Sequence, residues 1–191
     1  MKQIIQRAAL TASLLVAACA TTPDHFYTLA ILPEGAPAAL TLPTVHVLLS
    51  VNVPALVDRP ELVVSTSSTG IAVLEHERWG VSLSDQISQT LARDIEKRRS
   101  DVLVADRAFD QGTTPPVRIT VDIVRLTALR GERVSMQAHW RIVDDSAGID
   151  AIGGDEFVRP VDAVGYDAIA RAYSQALAAL ADRLAADVRQ H

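Results

Sequence analysis

Apolar residues recur at every second position in several stretches of the chain, which is the spacing of β-strands with one buried face. One such stretch contains Val45, Val47 and Leu49, and a compact apolar run follows at 102–105. The clearest alternation covers 117–126 and 134–142, with a turn at 130–132 between them. The pattern predicts a long antiparallel hairpin with one apolar and one polar face.

The apolar positions change phase inside the first strand of this hairpin. Val121 and Ile123 lie at odd positions, whereas Val124 and Leu126 lie at even ones. A slip of one residue turns every later side chain to the other face of a sheet, unless the strand contains an extra residue. We therefore predict a β-bulge near Ile123 and Val124. Trp140 falls on the apolar face of the second strand, and we expect it to be buried against a helix.

Two stretches show helical periodicity instead. In the first, one apolar residue recurs every fourth position: Leu83, Ile87, Leu91 and Ile95. Ser82 precedes it as an N-cap with Asp85 placed to reach back, and basic residues at 97–99 suit the C-terminal end of the helix dipole. The second is a long alanine-rich helix near the C-terminus whose apolar face comprises Tyr166, Ile169, Tyr173, Ala176, Leu177, Leu180, Leu184 and Val188.

Shorter elements complete the picture. Runs at 62–66 and 71–74 predict a hairpin around a glycine-containing turn, preceded by a proline-bounded loop at 54–60. Weaker strands are predicted at 26–31 and 156–159. The expected fold is a single two-layer α+β domain, in which a mixed, mostly antiparallel sheet carries two amphipathic helices on one face.

The first 18 residues have the pattern of a targeting signal. Lys2 and Arg7 precede a short apolar run, which is too short to span a membrane and ends in small residues before Cys19, the only cysteine. This resembles a bacterial lipobox, in which the signal peptide is cleaved ahead of an acylated Cys19. An ordinary signal peptide or a buried N-terminal helix is the alternative. The predicted organisation is a signal peptide at 1–18, a lipidated tether and lead-in at 19–43, and a domain at 44–191.

Composition limits the functions that the chain can perform. Removal of 1–18 takes away two basic residues and lowers the net charge from −5 to −7, which disfavours nucleic acid as a partner. The five histidines have no metal-ligand spacing, and no nucleophile motif or phosphate-binding glycine loop is present. We therefore expect no enzyme activity, no catalytic residue, no metal and no cofactor.

Three short motifs occur in an order that resembles a known family. They are Phe26-Tyr27-Thr28-Leu29, then Asp58-Arg59-Pro60, then Arg78-Trp79 directly before the first amphipathic helix. Together they resemble the ABC-type transport auxiliary lipoproteins, also called the PqiC-like family, over roughly the whole mature chain. An acidic domain with a single cysteine also suits a periplasmic protein that has no structural disulfide.

The resemblance implies a periplasmic lipoprotein. Ala20, and not Asp, follows Cys19, which resembles the pattern of lipoproteins that are sorted to the outer membrane. Its implied partners are an MCE-domain protein and ABC transporter subunits of an intermembrane lipid transport system, with a neighbouring copy of the chain as a further candidate. An outer-membrane assembly lipoprotein that plugs or chaperones a β-barrel is the alternative function.

Five residues are the candidate partner-binding site: Asp58, Arg59, Pro60, Arg78 and Trp79. Arginine and tryptophan are common anchors of protein interfaces, and loops on rigid scaffolds often bind partners. The structural alternative is that Trp79 packs beneath the helix start and that Arg59 pairs with Asp58 or with loop carbonyls.

Overall fold

The computed structural model describes residues 22–32, 45–105 and 115–188. Within these ranges, eight strands form one sheet, and two helices pack on it. The strands are β1 (His25–Tyr27), β2 (Val45–Asn52), β3 (Glu61–Ser65), β4 (Ile71–Trp79), β5 (Val102–Ala105), β6 (Val117–Leu129), β7 (Arg133–Asp144) and β8 (Ile149–Pro160), and the helices are α1 (Leu83–Arg98) and α2 (Tyr166–Asp187). This is the predicted α+β class.

Strand β6 is the centre of the sheet. On one side it pairs with β7 antiparallel along its whole length, and β7 pairs with β8 in the same way. On its other side β6 pairs first with β2 in parallel and, at its far end, with Ser65 of β3. The chain between β2 and β3 therefore leaves the sheet as a loop and returns to it. The β3–β4 hairpin extends the sheet, and β1 and β5 add short parallel edges to β4 and β2.

The predicted β-bulge is present. Ile123 lies opposite Ala138, and Arg125 lies opposite Gln137, so that Val124 is the extra residue and projects into solvent. After the bulge, Leu126 and Ala128 are buried on the same face as Val121. The bulge thus keeps one continuous apolar face on a strand whose sequence changes phase.

That apolar face packs against both helices. The four residues of the α1 stripe are buried, as is most of the predicted face of α2. Trp140 is buried as predicted, and its indole Nε1 donates a hydrogen bond of 2.9 Å to the carboxylate of Asp187 near the end of α2. Each long strand buries only one face, so the two helices share one side of the sheet.

Three element boundaries differ from the sequence prediction. β1 ends at Tyr27, because residues 28–32 bond to side chains of the helices and not to a strand. β4 continues to Trp79, which places Arg78 on a strand. β8 runs from Ile149 and not from Glu156, because β7 offers a backbone partner at every position, including opposite Gly153, whose weak strand propensity hid this part from the pattern.

Residues 28–32, here called the strap, lie across the two helices. Backbone N–H groups of the strap donate to side-chain oxygens of Gln86 and Asp94 on α1 and of Ser174 on α2, at 2.5–2.9 Å. These three acceptors are buried polar residues, and the strap gives each of them a hydrogen bond. Arg98 of α1 links the strap to α2, because its guanidinium donates hydrogen bonds to carbonyl oxygens of both.

Asp94 is the one member of this arrangement with an unsatisfied atom. It is fully buried, and its Oδ2 has no hydrogen-bond partner among the described residues. Burial raises the pKa of Asp94 to about 6, although the strap N–H and Arg98 favour the charged form. The folded protein therefore binds a proton at Asp94 more tightly than the unfolded chain does. This tighter binding contributes to the free energy of unfolding below about pH 4, and the contribution is lost as the pH rises through 6.

We predict that Asp94→Asn stabilises the protein at neutral pH. The amide keeps an acceptor for the strap and carries no charge, so the unfolding free energy at pH 7 should rise by about 2–3 kcal/mol, at 1.36 kcal/mol per pKa unit. Urea denaturation from pH 4 to pH 7.5 measures this effect. The difference between variant and wild type should disappear towards pH 4, and a constant difference at every pH would contradict the assignment.

Candidate functional site

The five candidate residues line a single surface cleft of about 410 Å³. It lies where the loop before β3, the end of β4 and the start of α1 meet β1. Its lining comprises Phe26, Asp58, Arg59, Pro60, Arg78, Trp79, Gly80, Val81 and Ser82. Residues that are up to 56 positions apart in the chain are thus brought together at one end of the sheet.

The loop at 54–60 is held in place by hydrogen bonds at both ends. The Pro54 carbonyl accepts from Val57 and Asp58, and the Pro60 carbonyl accepts from the backbone N–H of Trp79 at 2.7 Å. The carboxylate of Asp58 in this loop accepts a hydrogen bond of 3.0 Å from the Ser84 N–H in the first turn of α1. Ser82 accepts from the Asp85 N–H of the same turn, as an N-cap does. Asp58 therefore caps the helix from the loop, in the position where a carboxylate also suits the dipole.

The partner of Arg59 is Glu61, and not Asp58 or a loop carbonyl. Its Nε donates to a Glu61 oxygen at 2.9 Å, and the side chain remains 42% exposed. The second Glu61 oxygen lies 3.8 Å from Arg78, which also approaches Asp24 at 4.0 Å. The hydrogen bond from Arg59 lowers the pKa of Glu61, so this carboxylate stays charged between the two guanidiniums. The terminal nitrogens of Arg59 have no partner within the described part of the chain.

Trp79 belongs to the core more than to the surface. Its side chain is buried beneath the start of α1, and its ring centroid lies 6.2 Å from that of Tyr173 on α2. The position matches the structural alternative considered for this residue. Trp79 therefore supports the floor of the cleft, while its ring is not available as an exposed anchor.

Sequence reasoning missed the apolar rim of the cleft. Phe26 is 64% exposed and Val81 is 56% exposed, and both line the cleft. Phe26 belongs to the aromatic motif that carried the resemblance, but its strand was expected to extend to residue 31, with no surface role. Val81 gave no signal, because a single valine in a turn fits no periodic pattern.

The N-terminal segment of the described chain lies beside the cleft. His25, Phe26 and Tyr27 pair with β4, while Asp24 bonds to His76 at 3.0 Å. Tyr27 donates a hydrogen bond to Glu77, and burial, that bond and the nearby charges of Glu77 and Asp167 raise the pKa of Tyr27 to about 12. The chain is therefore fixed to the domain from Asp24 onward, directly beside the cleft.

The side chains that line the cleft are chemically mixed. It combines guanidinium donors, carboxylates and exposed apolar side chains, the mixture found at protein interfaces. Within residues 22–32, 45–105 and 115–188, no group of three histidine, cysteine, aspartate or glutamate side chains is arranged to hold a metal ion. No helix in the same ranges is long and apolar enough to cross a membrane. Cys19 and the predicted signal peptide lie outside the described residues.

The fold and cleft thus define a class: a two-layer α+β domain with a surface cleft beside its N-terminal lead-in. The chain belongs to the family described as the ABC-type transport auxiliary lipoprotein component, which it matches over residues 27–185. This confirms the resemblance found in the sequence. The family is one of transport components and not of enzymes, and its description associates its members with ABC-type transport.

Solved structures share the fold at low sequence identity. A crystal structure of an uncharacterized protein has a TM-score of 0.72 at 16% identity, over 87% of this chain and 99% of its own. Protein XCC0632 from Xanthomonas campestris, of the DUF330 family, has a TM-score of 0.64 at 17% identity, over 84% and 92%. No curated protein matches the sequence significantly. The TM-scores show a common fold, and the identities are too low to indicate a common partner.

Proposed function

We propose that this protein is an outer-membrane-anchored periplasmic lipoprotein that serves an ABC/MCE-type intermembrane lipid transport system. Acylated Cys19 would hold it on the periplasmic face of the outer membrane, where it docks the end of the transport conduit. Family membership supports the transport role, and the small-residue sequence before Cys19, followed by Ala20, supports the anchor and its location.

One observation carries the binding part of the proposal. The three short motifs of the sequence, which are far apart in the chain, each contribute residues to one cleft, and that cleft adjoins the point where the tether enters the domain. The loop at 54–60 is stiffened by two prolines and by its bonds to α1 and β4, so its ordering on binding costs little entropy. We assign the cleft as part of the docking surface for the MCE-domain protein or for a neighbouring copy of the chain.

Reversal of the Arg59 charge tests this assignment. Arg59→Glu replaces a donor fork with a carboxylate beside Glu61, so the partner should no longer co-purify from detergent-solubilised envelope. Arg59 is partly exposed and makes one surface ion pair, which contributes about 0–1 kcal/mol. We therefore expect the circular dichroism spectrum and melting temperature to change little.

Arg125→Glu is the matched control, because it makes the same charge change at an exposed position of β6 that is not among the residues lining the cleft. It should leave co-purification intact. Wild-type co-purification by Arg59→Glu would exclude the loop as the interface. A large drop in melting temperature would instead identify Arg59 as a structural residue.

A further inference from the structure

The strap at residues 28–32 is joined to the helices by a few polar contacts. It belongs to no strand, and its backbone N–H groups donate to Gln86 and Asp94 of α1 and to Ser174 of α2. None of its five side chains is fully buried. A segment with few buried apolar contacts opens at a lower free energy than the core of a domain. The strap is therefore suited to detach while the sheet and both helices stay folded.

Asp94 is the acceptor at the C-terminal end of the strap. Its side chain is fully buried, and its Oδ1 accepts from the Leu32 N–H at 2.5 Å. Its Oδ2 has no hydrogen-bond partner within the described part of the chain. A charged carboxylate in this position loses its hydration without a compensating bond on one oxygen, which costs free energy. Detachment of the strap would return water to that oxygen.

The charged groups around Asp94 do not offset this cost. Arg98 lies one turn further along α1, but its guanidinium donates to backbone carbonyl oxygens of the strap and of both helices, and to the carboxylate of Asp182. Lys97 and Arg98 favour the charged form of Asp94, Asp182 opposes it, and the strap carries no titratable side chain. Burial outweighs the two cations and raises the pKa of Asp94 to about 6.

These contacts make the strap sensitive to one proton. We propose that the strap is a proton-controlled latch, which a protonated Asp94 keeps closed on the helices and which opens more readily when that proton is lost. The protonated carboxyl carries no charge to desolvate and still offers an oxygen to the Leu32 N–H. The charged carboxylate instead gains hydration when the strap leaves. The proton thus stabilises the closed strap relative to the open one.

Linkage determines the pH range of the latch. With the strap closed, the pKa of Asp94 is about 6. With the strap open, the carboxyl is hydrated and should return to the ordinary value for aspartate, about 3.9. The open state therefore binds the proton less tightly, and the opening equilibrium rises with pH between about 4 and 6 and is level above that range. A difference of two pKa units corresponds to about a hundredfold change in this equilibrium.

Opening of the latch would change the surface next to the candidate site. The strap directly follows β1, whose Phe26 lines the cleft. Its detachment would uncover the side chains of Gln86, Asp94 and Ser174, which are buried when the strap is closed. The latch therefore links pH to the order of the chain beside the cleft and to the exposure of a polar row on the two helices.

Hydrogen exchange of the full-length protein in detergent, from pH 4 to pH 7.5, tests the latch. The amides of Leu29, Ala30 and Leu32 report opening of the strap, and protection factors remove the intrinsic effect of pH on exchange. Between pH 4 and pH 7 their protection should fall by about 20–100-fold. The amide of Val121, in the centre of the sheet, should remain more protected than the strap at every pH.

Three variants separate the proton from the strap contacts. Asp94→Asn should keep the strap as protected at pH 7 as the wild type is at pH 4, with no dependence on pH. Ser174→Ala removes one acceptor of the strap but no titrating group, so it should lower protection by the same factor at every pH. Asp167→Asn makes the same carboxylate-to-amide change at an exposed position of α2 and should match the wild type.

Three results would overturn the latch. The first is strap protection that is constant with pH in the wild type, and the second is a pH dependence that persists in Asp94→Asn. The third is equal protection of the strap and Val121, because the strap would then open only when the whole domain unfolds. If Asp94→Asn does not fold, carbon-13 NMR of the wild-type Asp94 carboxyl decides: a titration midpoint near 6 is required, and one near 4 overturns the proposal.

Discussion

Trp140→Ala should lower the free energy of unfolding by about 3–5 kcal/mol, the usual cost of truncating a buried tryptophan. The indole is buried between β7 and α2, and its Nε1–H bonds to Asp187 at 2.9 Å, so the variant loses apolar packing and also leaves a carboxylate without its donor. Typical domains have only 5–15 kcal/mol of stability in total. A clear shift of the urea midpoint is therefore expected, and an unchanged midpoint would contradict the burial of Trp140.

Gly153 provides an internal check on the same packing. It lies opposite Trp140 on β8, and a Cβ at this position would overlap the indole ring. Gly153→Ala should therefore destabilise the wild type by displacing the ring, but have much less effect when Trp140 is already alanine. This non-additivity in a double-mutant cycle is specific to a direct contact. His139→Ala, at the exposed neighbouring position, serves as the control and should change stability by less than about 0.5 kcal/mol.

Cys19→Ala should abolish membrane anchoring. Diacylation provides about 0.8 kcal/mol for each buried CH₂ group, and more than one chain is needed for a stable anchor. Without the thiol, no lipid can be attached at this position. The variant should incorporate no labelled palmitate and should leave the membrane fraction, as judged by fractionation. Retention in the membrane without label would contradict the lipobox interpretation.

Ala20→Asp is the control for the anchor. It leaves Cys19 available for acylation, so labelling and membrane association should persist. The substitution removes the feature that, in lipoproteins of this kind, indicates the outer membrane. We therefore expect sedimentation of the labelled protein with the inner membrane. Unchanged sedimentation with the outer membrane would mean that residue 20 does not determine sorting in this protein.

Local pattern alone was enough to predict the main elements. The alternation in β6 and β7 requires a one-sided strand pair, and its change of phase at Val124 can be accommodated only by an extra residue or by loss of the buried face. The stripe from Leu83 to Ile95 likewise has a single helical solution. In each case the period of the apolar residues matches the period of the backbone, so no distant contact is needed to decide the structure.

The candidate residues could be selected from their motifs, and the packing of Trp79 beneath the helix start could be considered, but the contacts of Asp58 and Arg59 were not predicted. Asp58 could not be identified as a cap of α1, because its acceptor geometry depends on a loop that returns to a helix 26 residues later. Arg59 pairs with Glu61, the first residue of β3, and not with Asp58. Trp79 is buried in the core, where its ring packs near that of Tyr173, a residue distant in sequence. The contacts of Asp58 and Trp79 join segments that are distant in sequence, which the local pattern does not report, whereas Arg59 and Glu61 are only two residues apart.

The sequence by itself determined the fold class, the bulge, the two amphipathic helices and the motifs that converge on the cleft, because these depend on side-chain order along one segment. Only the tertiary structure decided the path of the strap, the full length of β8, the burial of Asp94 and the exposed rim formed by Phe26 and Val81. Each of these depends on which segments approach each other in space. A backbone N–H donates to whatever acceptor the fold brings near, and a carboxylate accepts from whatever donor is near, so the residue types alone do not specify the partner.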